Sequence, residues 1–139
     1  MGKIADVRAG LATAMGTIAG LSTEAYVRDI ADVPVAMVGG PDPLEYDKTF
    51  GRGHDDYTFP VMVFAARVSD EDSQTQLDAY LDPFGASSIK AAIEADSTLG
   101  GVVDDLRVTG AREYGPQDIN GVMYLGAVLL VEVMASGKA

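Results

Sequence analysis

The run from Val122 to Met134 constrains this chain most, because it is apolar at almost every position. Met123, Leu125, Ala127, Leu129, Val131 and Val133 alternate along it and would form one continuous face of a strand. Val122, Tyr124, Val128 and Leu130 make the opposite face apolar as well. A strand with two apolar faces needs cover on both. The run is therefore expected to be a central strand, or an edge strand covered by another chain. It is too short to cross a membrane as a helix, and Glu132 lies within it.

Asp56 to Val68 has a similar two-faced pattern and is the second long strand candidate. Helices of the same domain would cover one side and a neighbouring subunit the other. Pro60 lacks the N–H that a ladder needs, so it calls for an edge position or a bulge. Shorter strands are expected at Ala25 to Asp29 and at Val33 to Val38, with a further long one from Val102 to Tyr114. Gly115 to Gly121 should connect that strand to the last, and Asn120-Gly121 is its strongest turn signal.

Ile4, Val7, Leu11, Met15 and Ile18 recur at helical spacing, with Gly20 placed to stop the helix. Lys3, Asp6, Arg8, Thr13 and Thr17 fall mostly on its other side. Ser69-Asp70-Glu71-Asp72 reads as a capped start with acids at the positive end of a helix dipole, and Pro83 ends that segment. A shorter helix follows over about Ser87 to Ala95, with Ile89 and Ile93 inward. The result is an α+β fold, a single antiparallel or mixed sheet packed against helices, in the order α-β-β-β-α-α-β-β. With 139 residues and no linker or internal repeat, one domain over 1–139 is expected.

Composition narrows function by exclusion. The formal net charge of −11 disfavours binding phosphate backbones by counterion release, and it disfavours anionic membranes too. The absence of cysteine removes disulfides, thiolate metal sites and a cysteine nucleophile. The opening residues lack the apolar core of a signal peptide, and Asp6 stands where a myristoylation signal needs Ser or Thr. These features predict a soluble, intracellular product.

His54 is the sole histidine. With Asp55 and Asp56 it resembles a fragment of a metal phosphohydrolase site, but the further histidines such a site needs are missing. No serine sits in a Gly-x-Ser-x-Gly setting, and neither phosphate-binding glycine pattern is complete. No catalytic residue, metal or cofactor is expected. The more informative stretch is Leu44 to Asp56, where Gly51-Arg52-Gly53 lies among charges of both signs just before a strand. It would be either a solvated connection or a binding loop on a firm sheet.

Several segments, in order, resemble the tail terminator proteins of long-tailed bacteriophages, in particular those infecting actinobacteria. They are Lys3 to Leu11, Tyr46 to Gly53, Tyr57 to Val61, Leu77 to Leu81, Ser88 to Asp96, Val108 to Arg112, and the strand around Tyr124-Leu125-Gly126. The resemblance implies a ring, usually a hexamer, that caps the head-proximal end of the tail tube and stops its polymerisation. It would contact the tail tube protein and the head-completion or stopper protein, and DNA would pass through its lumen without specific binding. The location implied is the virion neck, after assembly in the host cytoplasm. The loop would then make interface contacts, with Phe50 as apolar anchor, Lys48 and Arg52 pairing with partner carboxylates, and His54 beside them. Alternatives are another neck or tail component, such as a connector, stopper or tube protein, or a small cellular α+β ligand-binding domain or enzyme.

Overall fold

A computed structural model describes residues 3–18, 20–26, 33–40, 44–45, 54–66, 71–95, 98–101, 103–119 and 121–136. Its elements are α1 (Lys3–Met15), β1 (Ser22–Glu24), β2 (Val35–Val38), β3 (Leu44–Glu45), β4 (His54–Ala66), α2 (Glu71–Leu81), α3 (Ile89–Glu94), β5 (Asp105–Ile119) and β6 (Val122–Ser136). Apart from the two-residue β3, the order is the one expected from sequence. The sheet runs β1-β2-β4-β6-β5, with β3 also on β4. It is mixed: β1 and β2 are parallel and every other pair is antiparallel.

β6 is a central strand, paired with β4 along one side and β5 along the other. All three helices pack on one face of the sheet. There Val7, Leu11 and Met15 of α1, Leu77 and Tyr80 of α2, and Ile89 and Ile93 of α3 meet the odd-numbered residues of β4 and β6 in one buried cluster. Burying a side chain such as Leu11 or Phe59, both with no exposed surface, stabilises by about 2 kcal/mol.

Pro60 is accommodated by neither of the expected devices. β2 pairs with β4 only as far as Val38 opposite Val61, while β3 pairs with Tyr57 and Asp56. Pro60 therefore lies in the gap between two short strands that share one side of β4. Its carbonyl accepts the Gly39 N–H at 2.7 Å on that side. The N and C=O of a strand residue point the same way, so the missing N–H also faces Gly39, and the β2–β4 ladder ends at that point.

Several boundaries move. α1 ends at Met15, ahead of Gly20. β1 lies at Ser22–Glu24, where it pairs with β2, and Ala25 and Tyr26, the described part of the strand expected at Ala25 to Asp29, lie outside it. Residues 27–30 are outside the described set. β5 does not stop at Tyr114. It runs on to Ile119 through two bulges, Val108/Gly110 and Arg112/Gly115, so the connection shrinks to Asn120-Gly121. Glu113 takes a positive φ of 58° at the second bulge. Pro116 is tolerated because β5 is the outermost strand.

Candidate functional site

The loop expected to carry the interface is anchored at both ends within the sheet. Leu44 pairs with Tyr57 and Glu45 with Asp56. Lys48, Phe50 and Arg52 lie between these ends, outside the described residues. His54, expected on the loop, is the first residue of β4 and pairs with Ser136, because β6 runs far enough to meet it. Among the described residues, no group of three or more His, Asp or Glu side chains is placed to hold a metal ion. No described helix is long and apolar enough to cross a membrane.

The sheet face opposite the helices is the most distinctive surface. Val35, Met37, Phe64 and Tyr124 form a second cluster there, with Val33 and Met62 packed against it. The Phe64 and Tyr124 rings are 5.7 Å apart. Phe64 lies opposite Gly126, where a Cβ would come within 2.9 Å of the Phe64 ring, so the glycine makes room for the aromatic. Toward β5 the face changes character. Pro60–Leu130 and Met62–Val128 are cross-strand pairs of half-buried apolar residues. Beside them, Gly110 pairs with Leu130, Arg112 with Val128 and Arg107 with Glu132. Gly110 is exposed between two exposed arginines, of which Arg112 lies 4.0 Å from the Glu113 carboxylate, and a Cβ at Gly110 would meet nothing within 4 Å.

Large apolar side chains also stand exposed elsewhere. Phe84, on the turn between α2 and α3, is 83% exposed. Val122, Met123 and Tyr114 are about half exposed at the β5–β6 hairpin end. Among the described residues, β4 pairs with β6 as far as Leu125. β6 is apolar on both faces in sequence, so its pattern does not distinguish covered residues from exposed ones. The Asn120-Gly121 turn beside Val122 was the available signal.

Two polar contacts fasten the outer strand to the helices. Glu94 on α3 accepts hydrogen bonds from Lys90 Nζ at 2.6 Å and from the Val108 N–H at 2.9 Å. Partial burial alone would raise its pKa. The bonds from Lys90 and Val108, with the charges of Lys90 and Arg107, outweigh that and hold the carboxyl below its ordinary value. The Tyr114 hydroxyl donates to Asp78 on α2 at 2.8 Å, and chiefly for that reason the phenol is pushed above its usual value.

Arg8 falls on the polar side of α1 by periodicity, yet it organises the other end of the sheet. Its guanidinium donates to the carbonyls of Ala25 and Val38 and stacks 4.6 Å from the centre of the Tyr26 ring. Helical periodicity records only that such a residue is polar and gives no hint of its acceptors.

In comparisons with known proteins, no family model matches the chain, and no curated protein does.

Proposed function

We propose that this protein is a structural component of a long-tailed phage virion: a ring, most simply of six copies, that caps the head-proximal end of the tail tube. There it would stop tube polymerisation and join the tail to the head-completion proteins. The observation that carries this reading is the placement of exposed apolar side chains on unlike surfaces of one subunit. Phe84 stands on the helix side, Met134 on the helix-free face, and Val122 and Met123 at the hairpin end. A subunit with two different sticky surfaces associates head to tail, and such contacts close into rings when the rotation permits. The ordered sequence resemblance described above supplies the tail assignment. The net charge of −11 suits a lumen through which DNA must slide without being held.

Imaging of intact particles tests the reading. The expected result is a closed ring of this chain between tube and head. A neck lacking the protein, or holding a single copy, overturns it. In the same reading the role is non-enzymatic and requires no cofactor.

A further inference from the structure

Asn120 is the only asparagine in the chain, and a glycine follows it. Asparagine is chemically labile because its side chain can cyclise onto the backbone nitrogen of the next residue. Before glycine, no side chain hinders the closure. The Gly121 nitrogen loses its proton and bonds to Cγ of Asn120, and the side-chain amide leaves as ammonia. Water then opens the cyclic imide at either carbonyl, giving aspartate or isoaspartate. The net change converts an amide and water to a carboxylic acid and ammonia. Asn120 lies outside the described residues, but its Cγ and the Gly121 nitrogen are joined by a short covalent path, so the chain itself sets their reach.

The fold places restraints on the attacking nitrogen. Ile119 pairs with Val122, so Asn120 and Gly121 form the whole connection between β5 and β6. Gly121 has a φ of 82°. Its N–H donates to the Asp118 Oδ1 at 3.0 Å. That bond stabilises the protonated amide, and the carboxylate's charge opposes the amide anion that must form before ring closure. Steric cover contributes nothing: Gly121 is exposed, and a Cβ there would meet nothing within 4 Å. The restraint is electrostatic and conformational.

We infer that Asn120-Gly121 is a site of spontaneous self-modification that the folded hairpin holds in check, with Asp118 as the restraining group. This inference is independent of the ring reading. Conversion would place a carboxylate beside Val122 and Met123, both about half exposed. The isoaspartyl product also adds a backbone carbon to a turn that has no spare residue. Opening of the hairpin would thus be recorded as an irreversible change at the chain's apolar end.

The test incubates the isolated protein at mildly alkaline pH and follows residue 120 by peptide mass mapping. A peptide spanning Gln117 to Tyr124 is the unfolded reference. Asn120 should convert much more slowly in the folded protein than in the peptide. Asp118→Ala should speed conversion in the folded protein about tenfold, the change expected when one like charge at hydrogen-bond distance is removed. Asp118→Ser keeps an acceptor for the amide without the charge and should fall between. Hydrogen exchange of the β5–β6 ladder amides separates this effect from a loosened hairpin, and their protection should be unchanged in both variants. Acceleration that appears only with loss of ladder protection overturns the role of Asp118, as does an Asp118→Ala rate equal to the wild type's. Folded protein converting as fast as the peptide overturns the restraint altogether, and an inert peptide overturns the site.

Discussion

The Glu94 carboxylate accepts the backbone N–H of Val108 at 2.9 Å, so a helix side chain satisfies an amide on the outermost strand of the sheet. The contact falls beside the Val108/Gly110 bulge, where the ladder to β6 is interrupted. An unpaired edge amide is a template for another strand, and a carboxylate seated on it blunts that tendency.

Glu94→Gln should destabilise the protein by about 1 kcal/mol at neutral pH, since it loses a charge-assisted bond that is partly solvent-screened. The folded pKa lies below the ordinary 4.5. The wild-type advantage is therefore complete above that value and disappears as pH falls through the lower, folded-state pKa. Urea unfolding of both proteins from pH 7 down to pH 3 would show this. An advantage that grew on acidification would refute the assignment.

Gly126→Ala should cost about 2 kcal/mol or more, because the added methyl would overlap the Phe64 ring and lie closer still to the Val63 carbonyl. Adding Phe64→Leu should not restore stability, since the backbone obstacle remains. Denaturant midpoints of the single and double variants decide this, and full rescue would show that the ring alone sets the requirement for glycine.

How much of this was legible in the sequence depended on whether one element carried its own signal. The α1 stripe from Val7 to Met15, the inward Ile89 and Ile93 of α3 and the two faces of β6 follow from local periodicity. Other features were set by neighbouring strands. β1 is Ser-Thr-Glu, which has no apolar alternation, and its strand state comes from pairing with β2. The passage of β5 through Gly115 and Pro116 depends on two bulges and an outer position that local turn signals contradict. The shared face of Arg107, Gly110 and Arg112 needed the β5–β6 register, because only pairing opposite Leu130 puts that glycine between the two arginines on one face.

Arg8→Ala should lower stability by about 1–3 kcal/mol, leaving the Val38 and Ala25 carbonyls without their donor and Tyr26 without its stacked cation. Arg8→Lys should recover only part of the loss, because a single ammonium cannot reproduce the guanidinium's stacking and its reach to both carbonyls. Thermal unfolding in the order wild type, Arg8→Lys, Arg8→Ala is the expected outcome. Equal melting of all three would mean that these bonds contribute nothing net.

Duplex DNA should bind the isolated protein weakly at physiological salt. Any few phosphates neutralised by Arg107 or Arg112 would also face the carboxylates responsible for the net charge of −11. Fluorescence anisotropy with a short labelled duplex, repeated across salt concentrations, measures this directly. Submicromolar affinity with a steep salt slope would contradict it.

The β5–β6 hairpin end makes the sharpest separation between folding and assembly. Met123 continues the helix-side face of β6 that Leu125 and Leu129 define, and it is half exposed. Replacing it removes little buried surface from the subunit, and Met123→Glu should shift stability by no more than about 0.5 kcal/mol. In the ring reading, the same change puts a charge on an apolar contact with a neighbouring virion protein. Without a paired cation, that carboxylate must be desolvated or must open the interface, and either costs several kcal/mol per contact. Particles carrying Met123→Glu should therefore show unjoined heads and tails although the protein itself folds normally. Leu129 lies on the same face of β6 but is buried under the helices. Leu129→Ala should do the reverse, costing about 2–5 kcal/mol of stability while leaving the joining step intact in whatever protein still folds. If Met123→Glu melts as early as Leu129→Ala, the hairpin end belongs to the subunit core and not to an interface.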